Sequence, residues 1–423
     1  MFFQQSQFES FLAASEGDRP ELLAFRKKAY AQFKELGFPN RHWENWQFTN
    51  FSVFEKQKFE FSPKPLKSYS IQLNIPFQEN AYNLIFVNGV FKEKMSAIPS
   101  KVQFQPFGKE FPNLNSLLIP DTDLNPFQAL NSAFFNTGFL LDIPPDTKLN
   151  QPLHLIYLST KRSQTTMAHP RFQIMLGENS EAEIIEHYLG QTQAAYWNNV
   201  STVIKIGENA GLKHTRLQEE GSAAYHIGST TWDLGKLSRL NSSQIVIGGK
   251  LFRHNLKISF KGEFAQAVIK GLSLTSKNQH TDTNIQVEHA SPHCSSTQLF
   301  KNVLADDSNG VFTGRVLVRA GSQKTEAGQS SKNLLLSDKA RMFSNPQLEI
   351  YADDVKCAHG STTGQIDADA LFYFRSRGLS KKTAKRILVK GFADEVLQGQ
   401  TNKSLLLYLE QRLDSWLHGI SRT

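Results

Sequence analysis

The sequence predicts a mainly β protein whose central solenoid lies between two helical regions, and three observations support this fold class. Short runs rich in β-branched residues recur from about residue 151 to residue 364, separated by Gly, Asn, Asp and Ser, as is typical of many short strands. A weak repeat of about thirty residues runs through the same region. Apolar residues at three- and four-residue spacing, which indicate amphipathic helices, lie before and after it.

These patterns divide the chain into four predicted segments. Residues 1–60 are predicted to form an N-terminal helical region, and residues 61–150 a mixed α/β connecting segment. Residues 151–364 are predicted to form a β-helix-like core, and residues 365–423 a C-terminal helical domain.

Turn and capping residues support the first two segments. Pro20 suits the first turn of a helix that Gly37 ends. In the connecting segment, the dipeptide Asn88-Gly89 lies between apolar runs, which predicts a tight β-hairpin.

The core prediction depends on the internal repeat. The stretch "IMLGENSEAEIIEH" begins at Ile174, "IKIGENAGLKHTRL" begins at Ile204, and a looser copy, "ISFKGEFAQAVIKG", begins at Ile258. In a solenoid, each coil buries its inner face only by stacking on the next coil. We therefore favour a β-helix-like stack, with a jelly roll or a β-sandwich as the alternative.

Helical signals return after the core. Asp367 is a plausible N-cap of a first helix that Gly378 closes, and Ser380 can cap a second. A third helix is predicted near the end of the chain, with leucines and Trp416 on one face.

Composition limits the classes of protein to consider. The net charge of +8 and the isoelectric point near 9.2 permit an acidic partner. The two cysteines, Cys294 and Cys357, do not make a disulfide framework and are expected to be free thiols in a reducing compartment. The sequence shows neither a secretory signal nor an apolar run long enough to span a membrane. We therefore expect a cytoplasmic protein.

Common enzyme motifs are missing from the sequence. It contains no P-loop, no G-x-G-x-x-G, no H-E-x-x-H, no G-x-S-x-G and no paired C-x-x-C. This favours a scaffold or binding role over a self-contained enzyme. A β-helix enzyme acting on polysaccharide is another candidate, but no row of carboxylates along one strand face supports it.

Cys357 and His359 form the most distinctive candidate site. If "VKCAH" is a strand, residues at i and i+2 share one face, so the thiol and the imidazole point the same way. Both groups are good ligands for iron and zinc, and Lys356 or a charged imidazole could lower the pKa of the thiol. Two ligands do not complete a metal site. The alternative is a small buried cysteine beside a structural histidine.

Two other clusters have plain structural interpretations. His280, His289, His293 and Cys294 form a group that suits either metal binding or polar turns between strands. A basic run lies around the helices that follow the core, and it suits either a solvated helix face or a phosphate-binding, nucleic-acid element. The run comprises Arg375, Arg377, Lys381, Lys382, Lys385, Arg386 and Lys390.

Two stretches resemble a known family. "ADDVKCAHGSTTGQIDADALFYFRSRGLS" resembles the C-terminal signature of the SufB/SufD family of iron–sulfur cluster assembly proteins. "LGFPNRHWENWQFTNF" resembles the element that opens the SufD branch, with Phe48 in place of the usual tyrosine. The resemblance is closest to SufD, and it implies a right-handed parallel β-helix core.

The resemblance also implies a function. It implies a non-catalytic scaffold that pairs with a SufB-like subunit through the β-helix and binds a SufC-like ABC ATPase through the C-terminal helices. The ATPase would hydrolyse ATP, and the iron–sulfur cluster would be transient in the complex rather than stably bound by the isolated chain. Cys357 and His359 would then be ligands shared across the SufB interface. A homodimer of the isolated chain is left open, and neither a membrane nor nucleic acid is expected as a partner.

The C-terminal segment carries more apolar residues than a small helical layer hides easily. We expect residues 365–423 to form the ATPase-docking unit, and we expect the β core to stay folded without it. The candidate docking residues are Phe372, Phe374, Ile387, Leu388, Phe392 and Val396.

Overall fold

The computed structural model describes residues 2–15, 18–61, 75, 80–107, 125–160, 165–190 and 195–420. The helices within these ranges are α1 (Phe2–Ala14), α2 (Pro20–Leu36), α3 (Val53–Lys56), α4 (Pro126–Phe134), α5 (Ala368–Ser376), α6 (Lys381–Leu397) and α7 (Lys403–Ile420). None of these helices is long and apolar enough to cross a membrane.

The described strands lie between α3 and α5. They are β1 (Glu60–Phe61), β2 (Tyr82–Val87), β3 (Val90–Phe91), β4 (Gln103–Pro106), β5 (Thr137–Ile143), β6 (Leu153–Ser159), β7 (Thr166–Ala168), β8 (Pro170–Leu176), β9 (Glu181–Gly190), β10 (Tyr196–Ile206), β11 (Gly211–Glu219), β12 (Ala224–Leu234), β13 (Arg239–Val246), β14 (Leu251–Phe260), β15 (Gln266–Thr275), β16 (His280–His289), β17 (Ser295–Leu304), β18 (Asn309–Val318), β19 (Thr325–Leu335), β20 (Arg341–Ile350) and β21 (Val355–Gln365).

Successive strands from β8 to β21 alternate between two parallel sheets. Even-numbered strands form one sheet, here called sheet A, and odd-numbered strands form the other, sheet B. From β10 onward, each strand pairs in parallel with the strand two positions earlier, while β8 pairs with β5 and β9 with β6, and the stack makes a solenoid of about seven turns. The predicted parallel β-solenoid is confirmed. A jelly roll or sandwich is wrong because those folds pair their strands antiparallel.

The predicted repeat corresponds to neighbouring coils. Ile204 of β10 pairs directly with Ile174 of β8, so residues thirty positions apart in the sequence are stacked. The same ladder continues through Trp232 to Ile258, the start of the third copy. The repeat therefore marks one residue position in successive turns, with its side chains buried in the core.

From β8 to β19, a left-handed residue lies in the corner between each sheet A strand and the next sheet B strand. Asn179 and Asn209 have φ of 56° and 53°, values that asparagine tolerates better than most residues. The backbone N–H of Asn179 donates to the carbonyl of Glu208, one coil further on, at 2.9 Å. The Asn209 amide donates to Asn179 Oδ1 at 2.8 Å. The "GEN" element of the repeat is this corner.

Three apolar clusters hold the architecture together. One fills the solenoid between the sheets. A second, largely aromatic, joins the N-terminal helices and α4 to the outer face of sheet A, where Phe54, Phe127 and Trp197 are at most 1% exposed. A third lies between α6, α7 and the outer face of sheet B. Both outer faces of the solenoid are therefore covered by helices.

Local predictions at the ends of elements are also confirmed. Pro20 begins α2, and Gly37 follows it with φ of 69°. Asn88 and Gly89, with φ of 49° and 85°, turn the hairpin between β2 and β3. The Asp367 carboxylate accepts hydrogen bonds from two backbone N–H groups of α5. The four-segment division stays a prediction, although the sheets already include β2 and β5, before residue 151.

Candidate functional site

The last coil is the end of the solenoid within the described part of the chain. Among the described strands, β20 is the terminal strand of sheet A and β21 the terminal strand of sheet B, and each pairs with a described strand on one side only. From His359 to Gln365, the side chains of β21 are exposed. An uncovered strand edge can pair with another chain.

Cys357 and His359 lie on this terminal strand, as the sequence predicts. Their register partners on β19 are Ala327 and Gln329, so both side chains are on the strand face that continues the inner wall of the solenoid. Cys357 is half-buried and packs with Val355 on the small cluster that ends the core. His359 is exposed. The structure therefore brings the thiol and the imidazole to one face of an open coil.

The expected activation of the thiol by Lys356 is wrong. Lys356 is on the opposite face of β21, where its ammonium group pairs with Glu326 at 3.1 Å. Partial burial raises the pKa of the Cys357 thiol above its ordinary value, although a backbone hydrogen bond at Ala327 opposes this shift. The thiol of the isolated chain is thus mainly protonated at neutral pH, and a bound metal would favour its thiolate form.

The chain supplies only two side chains of a metal site at this position. Within the described ranges, no group of three or more His, Cys, Asp and Glu side chains is arranged to hold a metal ion. A thiol and an imidazole alone do not complete a metal site. The assignment of Cys357 and His359 as ligands stays a prediction.

The second predicted cluster is dispersed by the fold. His289 is buried, stacks on Phe260 and bonds Ser296 Oγ at 2.9 Å. His293 has φ of 58° in the corner that follows β16 and stacks on Phe264. These histidines have structural roles in the corner and the core.

The other two members of that cluster are also placed by packing. His280 bonds Thr49 Oγ1 of the N-terminal region at 2.8 Å, on the outer face of sheet A. Cys294 is 1% exposed and lies inside the core. Among these four residues, the polar-turn and packing interpretation is the one that the geometry supports.

Sequence reasoning missed a buried network of charges between the two sheets. Glu186 of β9 accepts hydrogen bonds from Arg216 at 2.7 Å and from the Tyr188 hydroxyl at 2.8 Å. Arg216 also donates to His226 Nε2 at 2.6 Å, and His226 Nδ1 is 2.5 Å from Glu220. The network thus spans from sheet B to sheet A and holds His226 as the Nδ1–H tautomer.

In this network, hydrogen bonds and opposite charges offset the free-energy cost of burying charged groups. Burial alone would raise the pKa of Glu186, but the hydrogen bond from His214 and the charge of Arg216 outweigh it and lower that pKa to about 2. The signal available in the sequence was polar residues at alternate positions of otherwise apolar strands, in "EIIEHYLG" and "LKHTRLQEE". Alternation alone does not distinguish an inner from an outer face.

The six candidate docking residues fall into two groups. Phe372 is 72% and Ile387 40% exposed, and Phe374 and Leu388 are half-buried. Val396 is 1% exposed in the cluster beneath α6. The prediction that Val396 belongs to an open docking surface is therefore wrong, because its side chain packs against sheet B.

Phe392 is also engaged within the chain. Lys301 of β17 lies 4.4 Å from the centre of its ring and donates to its carbonyl oxygen at 2.7 Å. The side chain of Phe392 packs partly buried against the apolar cluster over sheet B. Sequence analysis placed Phe392 and Val396 among the exposed apolar docking residues because the sequence does not show that the C-terminal helices cover sheet B.

The basic run does not form one continuous free surface. Arg386 and Lys390 of α6 both pair with Asp414 of α7, at 3.6 and 2.9 Å. Lys381, Lys382 and Lys385, with Arg386, line a groove of about 400 Å³ whose floor is aliphatic. The choice between a partner-facing helix face and a nucleic-acid element stays a prediction.

Comparison with known families accounts for most of the chain. Residues 157–392 match the family model described as "SUF system FeS cluster assembly, SufBD core domain". Residues 9–155 match the model described as "SufBD protein N-terminal region".

Individual relatives agree with these matches. The chain is 32% identical over 409 residues to an iron–sulfur cluster assembly SufBD family protein of Synechocystis sp., covering 91% of this chain and 89% of that protein. It is 28% identical over 399 residues to the iron–sulfur cluster assembly protein SufD of Escherichia coli, covering 92% of each chain. It is 28% identical over 416 residues to the chloroplastic protein ABCI7 of Arabidopsis thaliana, covering 94% and 86%.

Proposed function

The chain belongs to the SufBD family of the SUF system for iron–sulfur cluster assembly, and from that membership we propose that it is the SufD-like, non-catalytic scaffold subunit of a SufBCD-type complex. The observation that carries the proposal is the last coil, which presents Cys357 and His359 on a strand whose outer side no described strand covers. The complex would work in the cytoplasm.

The proposed SufB-like subunit pairs with the open end of the solenoid. β20 and β21 both offer unpaired backbone groups there, and side chains at this end include the exposed Tyr351 and the Phe343 ring, which stacks on Phe48 at 4.5 Å. Strand edges and exposed aromatic rings are suited to a protein interface. A homodimer of the isolated chain would use the same end.

The proposed SufC-like ATPase binds the C-terminal helices. The exposed residues Phe372, Tyr373 and Ile387 lie on α5 and α6, on a surface that no described part of the chain covers. An ATPase partner is consistent with the absence of a P-loop from this sequence. Hydrolysis of ATP would then take place in the partner, while this chain transmits the resulting movement.

Cys357 and His359 are proposed as ligands of iron or of the nascent cluster, which is the cargo of the complex. A thiolate and an imidazole are donors that iron accepts. Because the pair occupies the last coil, the remaining ligands can come from the partner subunit. The cluster would therefore be held transiently at the interface and not by this chain alone.

The test is reconstitution with Cys357→Ala and His359→Ala variants. Each variant should fold, because one side chain is half-buried and the other exposed, and each should co-purify with the SufB-like subunit and the ATPase. Cluster formation, measured as iron, acid-labile sulfide and visible absorbance, should fall by at least tenfold in both variants.

Lys356→Ala provides the control, because Lys356 lies on the same strand with its side chain on the opposite face. It should assemble clusters normally. Full activity of both the Cys357 and the His359 variants would refute the ligand assignment. Co-purification of nucleic acid in place of the ATPase would instead favour the nucleic-acid alternative.

A further inference from the structure

Two buried glutamines lie directly behind His359. Gln298 of β17 pairs in register with Gln329 of β19, and Gln329 pairs with His359 of β21. The three side chains therefore occupy one ladder on the inner face of sheet B. Gln298 is 1% and Gln329 3% exposed, whereas His359 is at the open end.

One polar atom of Gln329 is left without a partner. Its Nε2 donates to Gln298 Oε1 at 2.9 Å. Its Oε1 is buried, and no donor within the described ranges bonds to it. A buried acceptor without a hydrogen bond lowers the free energy of unfolding by about 1–3 kcal/mol. The stability of the isolated chain therefore does not explain why residue 329 is a glutamine.

The opposite sheet leaves space for the Gln329 amide. Gly314 of β18 faces Gln329, and a methyl group at residue 314 would come within 2.3 Å of Gln329 Nε2. The glycine therefore leaves the space that the amide occupies. The hydrogen bond to Gln298 restrains the orientation of the Gln329 amide within this space.

We propose that Gln329 is a positioning residue for His359, whose ring donates one N–H to Gln329 Oε1 in the assembled complex and turns its other nitrogen toward the metal. This inference rests on the proposed function. Histidine ligands usually donate their second N–H to a carboxylate, a carbonyl or water, which fixes both the tautomer and the ring orientation. An amide oxygen one rung behind the imidazole is such an acceptor.

The experiment compares Gln329→Leu with a matched control, Asn333→Leu. Asn333 is on the same strand and the same inner face and is 4% exposed, but its register partner is Thr363. Its amide also makes hydrogen bonds, to Asn302 and to Thr362. Both substitutions therefore replace a buried amide by leucine, and only one of them faces His359.

Two measurements on the reconstituted complex separate positioning from structure. Co²⁺ titration, followed by thiolate-to-metal absorbance, reports affinity at a site defined by its loss in the Cys357→Ala and His359→Ala variants. We expect Gln329→Leu to weaken Co²⁺ binding about tenfold or more and Asn333→Leu to leave it unchanged. With ¹⁵N-histidine in this chain only, the His359 tautomer should become mixed in Gln329→Leu alone.

The outcomes distinguish the two proposals. If Gln329→Leu and Asn333→Leu give the same Co²⁺ affinity and the same His359 spectrum as the unmodified complex, Gln329 has no positioning role. If His359→Ala leaves the Co²⁺ signal intact, the assignment of His359 as a metal ligand fails. The His359 tautomer alone then tests whether Gln329 positions the His359 ring. A changed tautomer in Gln329→Leu would sustain positioning, and an unchanged one would overturn it.

Discussion

Cys357 and His359 share a strand face but differ in their burial and surroundings. Cys357 packs on the end of the core, and its burial raises the pKa of its thiol. His359 is exposed and depends on what covers the coil. A partner at this end would therefore change the surroundings of His359 more than those of Cys357, which suits a site that is completed on assembly.

A second feature at the scale of residues is the buried Glu186–Arg216 pair, and it gives a stability prediction. Glu186→Gln leaves the Arg216 guanidinium buried without its carboxylate, which should lower the free energy of unfolding by about 3–5 kcal/mol at pH 7. Urea denaturation measures this change. The control is Glu181→Gln on the same strand, whose exposed pair with Lys148 is expected to contribute at most about 1 kcal/mol.

The same pair sets a pH dependence. The pKa of Glu186 is lowered in the folded chain to about 2 from an ordinary value of 4.5. Its contribution is therefore complete above pH 4.5 and is lost as the pH falls toward 2, on the order of 3 kcal/mol in all. The Glu186→Gln variant should lack this part of the acid dependence. Equal acid sensitivity of both proteins would contradict the assignment.

At the scale of elements, α7 is attached to the solenoid by a buried carboxylate. Glu219 of β11 is 1% exposed at its side chain and pairs with Arg412 of α7. It also accepts a hydrogen bond from the Tyr408 hydroxyl at 2.6 Å and contacts His187 Nε2 at 2.8 Å. This contact joins the proposed ATPase-docking region to the inner coils, so movement of the helices can reach the β core.

The attachment predicts a local effect of Arg412→Gln. Removing the cation leaves Glu219 buried with less compensation, so α7 should open more often. Hydrogen exchange of residues 403–420 should become about tenfold faster, with little change in the strands. Leu407→Ala is the control, since this α7 side chain is 56% exposed. Faster exchange throughout the molecule would show that Glu219 supports the whole core instead.

At the scale of the whole molecule, the solenoid is closed on its two outer faces and open at its last coil. The N-terminal helices cover sheet A, and α6 and α7 cover sheet B. Since the faces are used within the chain, the end strands and the exposed side of α5 and α6 remain for partners. These two separate surfaces are the ones assigned above to the two proposed partners.

Removal of residues 365–423 is predicted to damage the β core, contrary to the expectation from sequence. The deletion would expose an apolar outer face of sheet B that includes Ile185, Leu217 and Leu272, and uncovered surfaces of this kind cause aggregation. The truncated chain should bind the dye ANS strongly and elute as aggregates in size-exclusion chromatography. A monomeric truncated chain without ANS binding would contradict this prediction.

Phe372→Asp in the full chain is the matched test of the docking surface. This side chain is 72% exposed, so the variant should remain folded and, under the proposed function, should lose affinity for the proposed ATPase partner.

The sequence by itself determined the fold class, the repeat and the caps. These features are local or periodic: a proline in the first turn, an Asn-Gly hairpin, an aspartate N-cap, and a thirty-residue period that places Ile174 under Ile204. Each depends on a local backbone preference or on a sequence period, and both are visible along the chain before any contact between distant residues is known. The i, i+2 placement of Cys357 and His359 followed from the same rule.

Only the tertiary structure decided which face each side chain occupies and what it meets. Glu186 meets Arg216 and His226 because consecutive coils and opposite sheets bring them together. Val396 is buried because α6 lies on sheet B, and Gln329 lies behind His359 because β19 and β21 pair in that register. Contacts between residues far apart in the chain depend on the stacking of whole coils, and no local pattern specifies them.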